Sequence, residues 1–180
     1  MASAFGHACA ALTLGKVYSG KKLPAVFWIL SVVCAVIPDA DVIGFKFNIA
    51  YGSTFGHRGF THSIFFALVM GFIAALIFTK VASAYKKQSW KFVLYFFLVT
   101  LSHPLLDACT TGGLGVAFFS PFSNERYFFP FHPIKVSPIK VGSFFSDWGL
   151  QVLLSEFIWI GLPSLVIVTV TYFIRKKKNA

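Results

Sequence analysis

A short stretch between residues 56 and 63 carries most of the chemistry that the sequence offers. It reads Gly-His-Arg-Gly-Phe-Thr-His-Ser and so holds two imidazoles, one guanidinium and two hydroxyls. The apolar run from Ile64 to Phe78 follows at once. Ionisable groups beside a hydrophobic helix are costly to keep there and are usually functional. We therefore interpret His57 and His62 as parts of a metal site at the surface of a membrane.

Two further segments bring groups that bind divalent metals. Asp39 and Asp41 follow an apolar run that ends at Pro38, and in an extended or turning backbone residues two apart point the same way. His103 and Asp107 stand four residues apart at the end of another run, which places them on one helix face. Neutral imidazoles and carboxylates are ligands of zinc, manganese and iron.

The combined set predicts a site for one or two divalent ions, with zinc as the first expectation. Two ions could clamp a phosphoester between the attacking and the leaving oxygen. His7, in the first apolar segment, is a further candidate ligand. The remaining predicted ligands are Asp39, Asp41, His57, His62, His103 and Asp107.

The composition indicates a polytopic membrane protein. Hydrophobic residues make up 57% of the 180 residues and charged residues only 12%, about half the usual charged share of a soluble domain. The net charge is +10, but the basic residues cluster between apolar runs, which is the pattern of topology signals and not of a nucleic-acid footprint. We predict one all-α membrane-embedded domain over residues 1–180, with four or five membrane helices and no nucleic-acid partner.

The apolar runs and helix breakers place the predicted elements. Spans are expected at 23–37, 62–82, 90–107 and 150–174, with the shorter segment 3–15 as a possible fifth. Thr61 is a candidate N-cap of the second of these spans, with His62 in its first turn. Residues 42–55 are expected to form a loop. Residues 110–149, rich in Phe and Pro, are expected to form an interfacial loop on the headgroup layer.

The basic clusters predict which side of the membrane each end faces. Eleven of the 16 Lys and Arg residues fall in three clusters, at 16–22, 80–91 and 175–178. Placing these clusters in the cytoplasm by the positive-inside rule brings all the candidate ligands to the other side. His7 joins them if the first segment also crosses.

Several other polar groups allow two interpretations each. Arg58 is either the partner of a substrate phosphate, through its planar donor fork, or a surface arginine. Thr61 and Ser63 either support the ligands or cap the helix. Glu156 is a general base or outer ligand, or else a hydrogen-bond partner inside the bundle. His132 is more consistent with a lid residue than with a ligand, and the three widely spaced cysteines are interpreted as small apolar residues.

Four motifs resemble those of a known family: Pro-Asp-Ala-Asp at 38–41, His-Arg-Gly-Phe-Thr-His-Ser at 57–63, Ser-His-Pro-Leu-Leu-Asp at 102–107 and Thr-Thr-Gly-Gly at 110–113. They are similar to the YdjM family of LexA-regulated inner-membrane metal-dependent hydrolases of bacteria. The resemblance covers nearly the whole chain and extends to the segment 121–134 and to the early histidine. It implies a metal-dependent hydrolase of the inner membrane that belongs to the SOS response.

The residues and the resemblance together predict hydrolysis, by metal-activated water, of a phosphoester in a lipid or lipid-linked substrate. The site is expected to face the periplasm. Two alternatives stay open at this point. The same residues could carry a metal ion or a proton in a transport protein, or hold a zinc ion that only stabilises the fold.

Overall fold

The computed structural model of the chain describes residues 1–20, 22–139 and 141–178. Within these ranges the chain forms helices and connecting loops, and the β-type pairs are two isolated bridges, Thr110 with Ile134 and Val116 with Tyr127. Lys21 and Lys140, which enter the predicted charge distribution, lie outside the described residues. Four helical segments are long and apolar enough to cross a membrane: Ala25–Phe47, Ile64–Val81, Ser83–Ala108 and Asp147–Lys178. The predicted all-α polytopic architecture is confirmed.

Seven α-helices occur in the described ranges, and short 3-10 or π segments extend three of the four candidate spans. The first helix, at 15 residues, is shorter than the roughly 20 residues a span requires, but it packs against α2, α4 and α7. The helices are α1 Ala4–Tyr18, α2 Ala25–Val36, α3 Ile64–Val81, α4 Ser89–Ala108, α5 Val141–Phe144, α6 Asp147–Glu156 and α7 Leu162–Lys178. The 3-10 segments are Ile37–Phe47, Phe60–His62 and Ser83–Gln88, and Phe157–Gly161 is a π turn.

Aromatic side chains fill the core between α2, α3 and α4. Phe27 is fully buried and contacts the rings of Phe78 and Phe96. At Gly71, α3 approaches α4 so closely that an added Cβ would lie 2.6 Å from the backbone nitrogen of Phe97. A small residue at such a crossing lets two membrane helices pack with their backbones close together. The packing aligns the helices so that their histidine- and aspartate-bearing ends meet at one end of the bundle.

The start of α3 differs from the prediction. Ser63 is its N-cap, because the Ser63 hydroxyl accepts a hydrogen bond from the backbone N–H of Phe66 at 3.0 Å. Thr61, the predicted cap, lies in the preceding 3-10 turn and donates its hydroxyl hydrogen to Asp41. His62 therefore precedes the helix and does not lie in its first turn. The helix ends at Val81, one residue before the predicted end.

The backbone that carries Asp39 and Asp41 also differs. A 3-10 helix spans Ile37–Phe47, which includes part of the predicted loop 42–55. At three residues per turn, side chains two apart point roughly 120° apart around the axis and not in one direction. The expectation that both carboxylates point the same way is therefore wrong. As a result, the two aspartates contact different nitrogens of His62. Asp39 lies near Nε2 of the ring, and Asp41 lies near Nδ1.

The long segment between α4 and α6 folds back over the histidine-bearing end of the bundle. The backbone N–H of Ala117 donates to the carbonyl of Arg58, and that of Ile64 donates to the carbonyl of Phe118. The final predicted span begins earlier than expected, at Asp147, and its π turn ends at Gly161, two residues before Pro163. A π turn accommodates the carbonyl that a proline leaves without a donor.

Candidate metal centre

Four side chains from three segments converge at this end of the bundle: Asp39, His62, His103 and Asp107. The Nε2 atoms of His62 and His103 lie 3.0 Å apart. Asp39 Oδ1 lies 3.6 Å and 3.4 Å from these two nitrogens, and Asp107 Oδ2 lies 3.5 Å and 4.0 Å from them. Ligands of a tetrahedral zinc ion, with bonds of about 2.0–2.1 Å, are spaced about 3.3–3.4 Å apart. Five of the six separations among the four atoms, at 3.0–4.0 Å, are thus near the spacing that zinc requires, and all four atoms lie within 4.8 Å of one another.

Both imidazoles are oriented by a partner on the far side of the ring. His103 Nδ1 lies 2.7 Å from the carbonyl oxygen of Ala35, which can only accept, so we assign the ring proton to Nδ1. His62 Nδ1 lies 3.2 Å from Oδ2 of Asp41, a carboxylate that also accepts. In the neutral tautomers, both Nε2 atoms then carry a lone pair that points into the cluster. Histidines that bind metals show this arrangement almost always.

The four ligand atoms favour a positive charge between them, in addition to the nearby guanidinium of Arg58. Two Nε2 lone pairs and two carboxylate oxygens face one another, and neither Asp39 Oδ1 nor Asp107 Oδ2 has a hydrogen-bond partner. Burial by itself lowers the pKa of His62, but the neighbouring carboxylates of Asp107, Asp39 and Asp41 raise it to about 10. A proton on His62 therefore balances the cluster when no metal is bound, and a divalent metal fits the same ligands.

Asp41 and His57 form a second group with His62, but their atoms already have partners. His57 Nδ1 and Asp41 Oδ1 are 2.6 Å apart, which is a hydrogen-bond distance. Asp41 Oδ2 accepts from the hydroxyl of Thr61 at 2.7 Å and from the backbone N–H of Arg58 at 3.1 Å. A second ion would have to replace these hydrogen bonds. The role of Asp41 and His57 as direct ligands stays a prediction, whereas their support of His62 is visible in the contacts.

Arg58 is fully buried beside the cluster. Its Nη1 donates to the carbonyl of Gly112 and its Nη2 to the hydroxyl of Thr110, both at 2.8 Å. Its Nε lies 3.1 Å from Oδ2 of Asp107, so the guanidinium offsets the charge of a ligand carboxylate. The Arg58 backbone is left-handed, with φ of 61°. The binding of a substrate phosphate by Arg58 stays a prediction, because its three side-chain nitrogens already contact Gly112, Thr110 and Asp107.

The first helix reaches the cluster through His7. The His7 ring is buried and stacks on the ring of His103, with centroids 3.7 Å apart. Its Nε2 lies 3.4 Å from Oδ1 of Asp107, the oxygen that faces away from the four-atom cluster and also accepts from the backbone N–H of Ala2 at 2.7 Å. Neither ring nitrogen of His7 has a hydrogen-bond partner. The structure therefore places this candidate ligand at the edge of the site.

Glu156 lies outside the groups that could hold a metal. Its side chain is buried, and its two carboxylate oxygens accept from the backbone N–H and the hydroxyl of Ser3. Ser3 is the N-cap of α1, so Glu156 ties the last membrane segment to the start of the helix that carries His7. Among the interpretations left open above, these contacts are those of a hydrogen-bond partner inside the bundle. A catalytic role for Glu156 stays a prediction.

One supporting side chain was not identified from the sequence. Arg126 donates to the carbonyls of His57 and Tyr51, at 2.9 Å and 3.0 Å, and so holds the loop that carries His57. The one sequence feature that could have indicated this role is the position of Arg126 as an arginine within the Phe-rich loop. The carbonyl of Ala35 contacts His103, and the backbone N–H of Ala2 contacts Asp107. The types of these two residues gave no indication of either contact. His132 is exposed and belongs to neither metal-ligand group.

Comparisons with known proteins agree with the membrane architecture. The family described as YdjM inner membrane protein matches residues 1–179 of the chain. The chain is 38% identical over 176 residues to the inner membrane protein YbcI of Escherichia coli strain K12, covering 98% of this chain and 100% of that protein. No solved structure matches the chain. With the family matched over almost its full length and four candidate spans in the structure, the chain belongs to the YdjM family of inner membrane proteins.

Proposed function

We propose that this protein is a metal-dependent hydrolase that cleaves a phosphoester in a lipid or lipid-linked substrate. The observation that carries the proposal is the convergence, within 4.8 Å of one another, of four ligand atoms from buried side chains at the ends of candidate membrane helices, two of them without a hydrogen-bond partner. When bound, a divalent metal supplies a Lewis acid that lowers the pKa of water and so provides a nucleophile near neutral pH.

The surrounding residues have roles that follow from their contacts. His62, His103, Asp39 and Asp107 would hold the metal. His62 Nδ1 lies 3.1 Å from the Thr61 hydroxyl, its hydrogen-bond partner, and 3.2 Å from Asp41 Oδ2. These contacts fix the orientation of the ring, and the carboxylate raises its basicity as a ligand. Arg58 offsets the negative charge of Asp107, which reduces the repulsion that an anionic phosphoester meets as it approaches.

A large apolar cavity supports a lipid as the substrate. The cavity has a volume of about 650 Å³, and Met1 and Ser3 are part of its wall. Ala2, between them, donates its backbone N–H to Asp107. The first three residues thus separate the cavity from the ligand cluster, and a lipid chain in the cavity would place its headgroup near the metal. The other lining residues include Phe5, Phe144, Phe145, Leu150 and Leu153.

We also propose that the site faces the periplasm. The helix ends opposite the ligands carry the basic clusters, and cytoplasmic ends of membrane helices are enriched in Lys and Arg. A membrane-impermeant thiol reagent should label Ser53→Cys in whole cells, because Ser53 is exposed in the loop before His57. Labelling that requires permeabilised cells would place the site on the cytoplasmic side.

One observation favours a second candidate, a zinc ion that only stabilises the fold. The cluster already offers four protein ligands, and zinc sites closed by four protein ligands are structural. A transport function is less favoured, because transporters bind their substrate near the middle of the bilayer, whereas these ligands lie at helix ends.

Purified protein in lipid nanodiscs, loaded with zinc or manganese, distinguishes the candidates. We expect release of phosphate or of a headgroup from a panel of phospholipids and lipid phosphates, and loss of that release in His103→Ala. His132→Ala is the matched control, since this exposed histidine belongs to neither ligand group, and it should keep wild-type turnover. If the loaded wild-type protein turns over none of the panel while His103→Ala lowers the melting temperature, the metal is structural.

A further inference from the structure

The end of the bundle opposite the metal centre concentrates positive charge without acidic side chains. Of the six Asp and Glu residues in the chain, Asp39 and Asp107 belong to the ligand cluster, Asp41 contacts His62, and Glu156 binds Ser3 at the same end of the bundle. Glu125 lies in the segment that folds over that cluster, and Asp147 begins α6, whose last residue contacts Ser3. The cations of the opposite end therefore have no carboxylate of the described chain to pair with. They are Lys16, Lys22, Lys80, Lys86, Lys87, Lys91, Arg175, Lys176, Lys177 and Lys178.

Part of this basic end is concave. A pocket of about 470 Å³ lies between the end of α1, the start of α2 and the end of α7. Three cations line it, Lys16, Lys22 and Arg175, together with the indole of Trp28. The Nζ of Lys16 stands 5.3 Å from the centre of the Trp28 ring. The pocket thus has a defined shape and a charge of one sign.

Arg175 gives the pocket a fixed base. Its Nη1 donates to the carbonyls of Lys16, at 2.8 Å, and of Ser19, and its Nη2 donates to the carbonyl of Val17 at 2.6 Å. These carbonyls belong to the C-terminal end of α1, so the guanidinium joins α7 to α1 while it keeps its positive charge. Lys16 and Lys22 are exposed, and their ammonium groups are available to an anion in the pocket.

We propose that this pocket binds the phosphate of an anionic phospholipid, with the acyl chains along the exposed apolar faces of α1 and α7. Charge complementarity supports this occupant, because the described residues that line the pocket include three cations and no carboxylate. Its position supports a lipid over a free anion, because α7 is part of a candidate span that ends at Lys178, three residues beyond Arg175. Basic pockets between membrane helices bind anionic headgroups in this way. The bound lipid would hold α1 against α7, and the site shares no residue with the metal centre.

Native mass spectrometry of the full-length protein, released from detergent, tests the proposal. Phosphatidylglycerol and phosphatidylcholine with identical acyl chains are compared, with inorganic phosphate as a third arm. We expect phosphatidylglycerol to bind best, and Lys16→Gln and Lys22→Gln each to weaken its binding roughly fivefold. Lys86→Gln and Lys87→Gln are matched controls at the same end of the bundle but outside the pocket, and they should change binding less than twofold.

Three results would overturn the proposal. Equal weakening by pocket and control substitutions would mean that diffuse charge attracts the lipid. Equal binding of phosphatidylcholine would remove the role of headgroup charge, and equally tight binding of inorganic phosphate would remove the lipid as the ligand. Lys16→Arg keeps the charge and should keep the binding, which separates loss of the cation from a general effect on the fold.

Discussion

Oδ2 of Asp41 lies 3.2 Å from Nδ1 of His62, on the side of the ring that faces away from the four-ligand cluster. The same carboxylate accepts from Thr61 and from the backbone of Arg58, and it also pairs with His57, so its own position is held by three residues of one loop. His62 is thereby fixed with Nε2 directed at Asp39, His103 and Asp107. The precision of the proposed metal site depends on this contact.

Asp41→Asn should weaken metal binding without changing the number of ions bound. Loss of a carboxylate that orients a ligand histidine typically costs 10–100-fold in metal affinity, so we expect a decrease of about that size. Competition with a chromophoric chelator measures the affinity, and elemental analysis measures the stoichiometry. Asp39→Ala, which removes a ligand atom, should cause the larger loss. A fall from two bound ions to one in Asp41→Asn would instead make Asp41 a ligand of a second ion.

Stability of the metal-free protein should fall as the pH rises from neutral toward 10. His62 has a pKa of about 10 in the fold, above the value of about 6.5 for an unfolded imidazole. Its proton therefore stabilises the fold fully below the unfolded pKa, and this contribution disappears as the pH rises through the folded pKa. Melting temperatures of chelator-treated protein between pH 6 and 10 measure the effect.

Bound metal should abolish the fall in stability at high pH, because the metal takes the place of the His62 proton. Calorimetric titration at pH 8 in buffers with different ionisation enthalpies should show the release of about one proton per metal bound. His62→Asn should lose the release, whereas His132→Asn, which alters an exposed histidine outside the site, should keep it. Proton release that persists in His62→Asn would locate the displaced proton elsewhere.

Glu156→Gln should lower stability and leave the metal content unchanged. The amide has one acceptor where the carboxylate has two, so one of the two donors of Ser3 loses its partner. A buried group left without its hydrogen bond costs about 1–3 kcal/mol. Melting temperature and zinc content are measured on the same preparation, with the exposed Glu125→Gln as the control. A variant with normal stability and no turnover would restore the interpretation of Glu156 as a catalytic base.

Gly71→Ala should separate α3 from α4 and disturb the metal site from a distance. The new Cβ would meet the backbone nitrogen of Phe97 at 2.6 Å, a contact that the backbone has to move to relieve. Overpacking of this kind costs about 1–3 kcal/mol. Because His62 precedes α3 and His103 lies near the end of α4, metal affinity should fall as well. Gly20→Ala is the control, since a Cβ there meets nothing within 4 Å.

The membrane class, the approximate spans and the set of candidate ligands followed from the sequence alone. Long apolar runs have few alternatives to membrane helices, and imidazoles and carboxylates at their ends are too costly to leave without a partner. Basic clusters at alternate ends of the runs also indicated that His62, His103, Asp39 and Asp107 share one end of the bundle. These features depend on residue type and spacing, which are properties of the chain itself.

The tertiary structure decided which atoms meet. Asp39 and Asp41 separate because the backbone forms a 3-10 helix after Pro38. Arg126, and the backbone groups of Ala35 and Ala2, take their places through contacts between segments far apart along the chain. A carbonyl or an amide is present at every such residue and leaves no mark in the sequence. Only the fold determines which of them lies within hydrogen-bond distance of a ligand.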